Sequence, residues 1–256
     1  MKPCIKPTFL TYQKPLLVAM VQEETPDAMI LEIVNALYDG AEAFGIQLEN
    51  LRREYRDLET LKRIFAACEN RPIYVTSYRS ANSEGMTDEE CAEFLLLAVD
   101  AGATLCDIMG DFYQKSPHDI TYDPEAVEKQ KELAKKIKEK GGEVLFSSHI
   151  HDYFTEEECL EVARAQVERG ADVVKIVNFS GSEEEMMANL NTIHRLKQDL
   201  PVPFLFLANG PYCRFIRQMG PELGVCMYLC MQHTGPRNSR EQPQLRAMKT
   251  VRDNMV

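Results

Sequence analysis

A (β/α)₈ barrel is the fold class this sequence predicts, on three observations. Eight short apolar runs alternate with longer helical patterns, several helix starts carry acidic capping signals, and glycine closes several helices. The 256 residues match what one barrel domain needs, with residues 1–15 left as a short lead-in across its floor.

Reading along the chain, the aliphatic and β-branched runs fall at residues 16–21, 45–48, 73–78, 104–108, 143–148, 172–177, 204–207 and 225–229. Helical patterns start near Thr25, Asp57, Thr87, Asp123, Thr155, Ser182, Pro211 and Gln242. Thr87, Thr155 and Ser182 each precede three acidic residues, so a hydroxyl cap and a glutamate three positions on form the pattern of a capping box. The acidic first turns also complement the helix dipole. Gly40, Gly102, Gly141 and Gly170 follow helical stretches, where a left-handed terminal residue is expected. No glycine-rich phosphate loop follows the first strand, which disfavours a dinucleotide-binding sheet.

Composition narrows the function classes. Hydrophobic residues make up 45% and charged residues 27%, the values of an ordinary globular protein. The net charge of -11 opposes binding to nucleic acid or to an anionic membrane surface, and the lysine run at residues 135–140 reads as a solvated helix face. No apolar stretch approaches the roughly 20 residues of a membrane span, and no signal-peptide core is present. The eight cysteines lack any C-x-x-C pair and read as buried thiols of a cytoplasmic protein. A small-molecule substrate is the expected partner; the oligomeric state stays open, a homodimer being the commonest arrangement.

In such a barrel the chemistry stands at the C-terminal strand ends, which directs attention to the polar residues closing each run. These are Gln22 and Glu23, Gln47 and Glu49, Arg79, Asp107, Ser147, His149 and His151, Lys175 and Asn178, Asn209, and Gln232 or His233. Lys175 is the least ordinary, because it interrupts an apolar run expected to be covered on both faces. An unpaired ammonium there is costly, so a lowered pKa and a nucleophilic amine able to form a Schiff base are expected. The alternative is a structural lysine paired with Asp107 or Glu49. His149 and His151 stand two apart and so share a strand face, offering a proton shuttle beside that amine. His118 and His194 read as loop and helix-surface residues.

The ends of these neighbouring strands resemble type I 3-dehydroquinate dehydratase, a Schiff-base lyase of the shikimate pathway and aromatic amino acid biosynthesis. The resemblance runs through most of the chain. It is carried by Tyr78-Arg79-Ser80 followed by Glu84-Gly85, by residues 144–152 and 170–176, and more weakly by Phe215-Ile216-Arg217 with Gly220 and Gly224. It implies a barrel in which Lys175 forms an imine with the substrate ketone. It also implies that a histidine moves the α-proton and protonates the leaving hydroxyl, while Arg79 and Arg217 hold the substrate and its carboxylate. Gln47, Glu49 and Glu84 complete the implied binding set, and neither cofactor nor metal enters that chemistry. His149 fits the family's serine-x-histidine and is preferred; His151-Asp152-Tyr153 fits the continuation.

The departures concern charge. Gln47-Leu48-Glu49 stands where the family has glutamate-x-arginine, Met109 replaces an acid, and Glu84 is displaced by one position from Arg79. Gly235 to Ser239 stand near the place of the family's terminal substrate loop. Losing an arginine and gaining Glu49 disfavours a carboxylated ring, so a divergent substrate is expected. Two further readings remain. One is a metal-dependent barrel using His149-x-His151 with Glu49, Asp107 and Asn209, and the other is a non-catalytic barrel that binds a small molecule.

Overall fold

The computed structural model describes residues 7–79, 81–235, 238 and 240–255. Eight parallel strands alternate with helices: β1 (Leu16–Val21), α1 (Pro26–Tyr38), β2 (Ala43–Gln47), α2 (Leu58–Ala66), β3 (Ile73–Thr76), α3 (Asp88–Ala101), β4 (Leu105–Met109) and α4 (Pro124–Glu139). The second half repeats the pattern with β5 (Glu143–His149), α5 (Glu156–Glu168), β6 (Val173–Phe179), α6 (Glu183–Asp199), β7 (Phe204–Asn209), α7 (Cys213–Leu223), β8 (Met227–Met231) and α8 (Leu245–Asn254). Sheet order runs β7-β6-β5-β4-β3-β2-β1-β8, every pairing parallel, so the sheet curls into a nearly closed (β/α)₈ barrel. Across the β7/β8 seam the Cys226 N–H reaches the Phe204 carbonyl at 2.9 Å.

Local chemistry accounts for the helix starts. The side chains of Thr25, Asp57, Thr87, Asp123, Thr155 and Ser182 each accept a first-turn backbone N–H, a cap worth about 1 kcal/mol apiece. Thr87 and Thr155 form complete capping boxes. The expected box at Ser182 is incomplete, because Glu185 turns instead to the Gly181 N–H at 2.6 Å. Helices α7 and α8 have no side-chain cap and start two to three residues later than the sequence pattern predicts, at Cys213 and Leu245. The four helix-ending glycines all adopt positive φ, as expected.

Strand alternation divides the core in two. Residues such as Leu17, Phe146 and Ile176 are fully buried on the outer, helix-covered face of the sheet, and the barrel interior holds Tyr74, Asp107, Ser147 and Lys175, all at or near zero exposure. Gly45 makes room for this filling: a Cβ there would stand 2.3 Å from the Met20 sulfur and 3.1 Å from the Tyr74 ring. At the opposite end from the strand C-termini, the Phe9 N–H donates to the Glu143 carboxylate at 3.0 Å and Phe9 is wholly buried, so this residue packs against the start of β5. Residues 1–6 of the lead-in lie outside the described residues. Among the described residues no helix is long and apolar enough to cross a membrane. All seven described cysteines, from Cys68 to Cys230, are free and buried; Cys4 lies outside the described residues.

Candidate active site

The parallel register of β4, β5 and β6 assembles the centre. Ser147 on β5 is the lateral partner of Lys175 on β6, and both side chains enter the barrel. Lys175, only 4% exposed, uses all three of its ammonium donors: Tyr78 Oη at 2.6 Å, Tyr74 Oη at 3.1 Å and Asp107 Oδ2 at 3.1 Å. The same Asp107 oxygen accepts both tyrosine hydroxyls, and its Oδ1 accepts Ser147 Oγ at 2.5 Å. Lys175 is therefore not the unpaired ammonium the apolar strand suggested; it is paired with Asp107 inside the barrel. Burial, and then the Asp107 charge, hold both phenols well above the ordinary tyrosine range, so they remain neutral hydrogen-bonding groups.

His149 ends β5 on the same inner face, with its ring edge-on to Tyr78 at 5.3 Å between centroids. Its Nδ1 lies 3.0 Å from Asp119 Oδ2. A carboxylate accepts, so this contact is a hydrogen bond when Nδ1 carries the proton, and a neutral ring of that tautomer keeps the Nε2 lone pair. Burial and the nearby Lys175 charge depress the imidazole pKa against the upward pull of Asp119. That direction favours the neutral imidazole. His151 departs from expectation: β5 ends at His149, the chain bends, and His151 is exposed. The shared-face argument applied only while the strand continued.

Glu49 follows β2 in a short 3-10 turn, Leu48–Asn50, and is 4% exposed. Thr76 donates to it at 2.8 Å, yet burial pushes its pKa up to about 7, with the Asp107 charge adding a little. Gln47 joins a row of amides at the strand ends. Its Oε1 accepts Gln22 at 2.7 Å and Asn50 at 3.2 Å; Asn82 bonds Asn50, and Asn238 bonds Gln22. Arg79 is engaged by Asp88 at 2.8 Å and by Asp111, so its charge is already met by two carboxylates.

The model of the type I 3-dehydroquinase family matches residues 17–254. The chain belongs to that family. Among solved structures it is similar to the 3-dehydroquinate dehydratase of Geobacillus kaustophilus, with a TM-score of 0.79 at 18% identity, over 95% of this chain and 92% of that one. The type I enzyme of Clostridium difficile, determined with covalently modified comenic acid, gives 0.80 at 13% identity over 95% and 93%. That of Enterococcus faecalis gives 0.76 at 14% over 97% and 98%. No curated protein matches the sequence.

Within this dehydroquinase fold, several anticipated residues stand apart from Lys175. Glu84, at φ +56, is exposed and faces the Arg53 N–H at 3.2 Å and Arg56 at 3.7 Å. Arg217 on α7 is buried, its Nε donating to the Ala208 carbonyl at 2.7 Å. Asn178 points out of the barrel, where it binds Phe154 and Asn189, because it falls one residue out of phase with Val177 and Phe179. Gln232 reaches Asp39 at 3.0 Å, and His233 lies 3.5 Å from the buried Glu32. His194 is on the α6 surface, as read from the sequence, and His118 packs on Phe154. Pro236, Arg237, Ser239 and Ser80 lie outside the described residues. Among the described residues no three histidine, cysteine or acidic side chains gather as a metal would require, and His149 and His151 diverge. Sequence reasoning missed Tyr74, Tyr78 and Asp119. The tyrosines read as ordinary strand residues, and only alternation from Tyr74 to Thr76 hinted that they face inward. Asp119 carried no signal, being set in a long loop.

Proposed function

We propose that the chain is a Schiff-base-forming dehydratase acting on a β-hydroxy ketone, with Lys175 as the nucleophile and His149 as the proton shuttle. The single observation that carries this reading is a buried lysine, inside a dehydroquinase-family barrel, with a histidine on the same inner face whose Nδ1 is turned to Asp119. Lys175 first passes a proton to the adjacent Asp107, and the amine attacks the ketone carbon. The carbinolamine loses its hydroxyl as water, leaving an iminium that acidifies the neighbouring C–H. His149 Nε2 takes that proton, and the resulting imidazolium returns it to the departing β-hydroxyl, which leaves as a second water. Hydrolysis of the conjugated imine consumes one water and frees the enone and Lys175, for a net loss of one water.

The substrate reading is a divergent one. Arg79 is neutralised by Asp88 and Asp111, Gln47 is a neutral amide, and Glu49 supplies no positive charge in either form and a negative one once ionised, all of which weaken recognition of a carboxylate. A cytoplasmic location belongs to the same proposal, supported by the buried free thiols. Borohydride treatment with 3-dehydroquinate, and with β-hydroxy ketones lacking the carboxylate, tests both parts. The expected result is a covalent adduct on the Lys175 peptide, absent in Lys175→Ala and larger with the uncharged ketones. An adduct on other lysines, or none with any ketone, refutes the mechanism.

One observation favours a second reading, a barrel that binds a small molecule without turning it over: the Lys175 ammonium has three oxygen partners and no vacant donor. Any release of enone by the protein that Lys175→Ala abolishes removes this option.

A further inference from the structure

The loop between β4 and α4 is held with more constraints than a surface connection needs. Asp119 adopts φ +47, an unfavourable region for a residue with a Cβ, and such strain persists only where surroundings enforce it. Ser148 Oγ donates to the Asp119 carbonyl at 2.9 Å. Gly110 lies so close beneath that a Cβ would stand 2.6 Å from that same carbonyl oxygen. Ser116 Oγ bonds both the carbonyl and the N–H of Ile120, at 2.6 and 3.1 Å. Asp111, itself bound to Arg79, accepts the Ser116 N–H at 2.8 Å.

Both ends of the loop meet at one buried guanidinium. Arg169, at the end of α5 and 4% exposed, donates to Gly110 O at 2.8 Å, to Thr121 O at 2.5 Å and to Gln130 Oε1 at 2.9 Å. Gln130 returns its own amide to Gly110 O and Phe112 O. A planar fork can satisfy two carbonyls at fixed separation, which a flexible ammonium cannot. The product of these constraints is the Asp119 carboxylate set 3.0 Å from His149 Nδ1.

We propose that Asp119 is the positioning residue that sets the tautomer and direction of His149, and that Arg169, by clasping both ends of the loop, is the positioning residue that holds Asp119 there. The contribution to proton transfer rests on the reading of His149 given above, whereas the tautomer can be measured without any substrate. A hydrogen bond to a carboxylate favours the Nδ1–H form by roughly tenfold or more.

The test is long-range ¹H–¹⁵N spectroscopy of the full chain labelled in histidine, with His149→Ala assigning the signal. The unaltered protein is expected to show His149 predominantly protonated on Nδ1 at neutral pH. In Asp119→Ala the Nδ1–H form should lose its predominance. Arg169→Met should move the ratio in the same direction, and Arg169→Lys, which keeps the charge but loses the fork, should fall between. If Arg169→Met does not fold, Arg169→Lys carries that arm. An unchanged tautomer in Asp119→Ala overturns the role of Asp119, and an unchanged tautomer in the folded Arg169 variants overturns that of Arg169. Failure of the dehydratase reading leaves these spectra as expected, so the two outcomes are separable.

Discussion

Replacing Glu49 by glutamine should make stability less dependent on pH between about 4.5 and 7. Burial raises this carboxyl from its ordinary 4.5 to about 7, so between those values the unfolded chain releases the proton while the folded chain keeps it. The folded state then binds more protons, and unfolding free energy falls as pH rises through this window, levelling off above about 7. At about 1.36 kcal/mol per pH unit, the loss attributable to Glu49 is about 3 kcal/mol between pH 4.5 and pH 8. Glu49→Gln removes this component while any fixed cost, such as a weaker bond from Thr76, is the same at both pH values and cancels. Glu32, also raised to about 7 by burial, keeps its own similar slope in both proteins. Urea unfolding at a series of pH values between 4.5 and 8 measures the difference directly. Parallel curves for the two proteins would show that Glu49 ionises normally in the fold, and would refute the account of a desolvated acid beside Asp107.

Two further outcomes follow from the geometry. His149→Ala should lower turnover by about 10²–10⁴-fold, whereas the exposed His151→Ala should stay within about twofold; in the unaltered protein the acidic fall in rate should lie below pH 6.5, because the His149 pKa is depressed. Steady-state kinetics of both variants across pH checks this, and equal losses would contradict the assignment. Gly45→Ala should destabilise the fold by about 1–3 kcal/mol by forcing Met20 and Tyr74 apart, and denaturant titration showing no change would mean that the barrel interior is looser than described.

How much of this was legible beforehand depends on the range of the interaction concerned. Alternating apolar runs, hydroxyl caps and terminal glycines act between residues a few positions apart, so the eight strands, the helix starts and the inward lysine could be read directly from the chain. β1 agreed with the reading at both ends, as six apolar residues set between Pro15 and Gln22 leave little choice. Where the pattern depended on one residue of phase, it failed: His151 was placed on the strand face and Asn178 toward the site, and both errors come from where a strand ends or which way its pleat turns.

The partners of each charge were a different matter. Tyr74 lies 101 positions before Lys175, Asp119 lies 30 before His149, and Arg169 clasps a loop 48 to 59 residues away. Nothing local distinguishes these residues from ordinary aromatic, acidic or basic ones. By itself the sequence determined the barrel and the lysine within its sixth strand, because those follow from periodicity, and it left His149 and His151 as alternatives. Only tertiary closure decided that the amine is saturated by Asp107 and two phenols, that Arg79 is absorbed by carboxylates, and that Asp119 faces His149. Those facts depend on which strands become neighbours in space, and a hydrogen bond responds to the distance between atoms rather than to their separation along the chain.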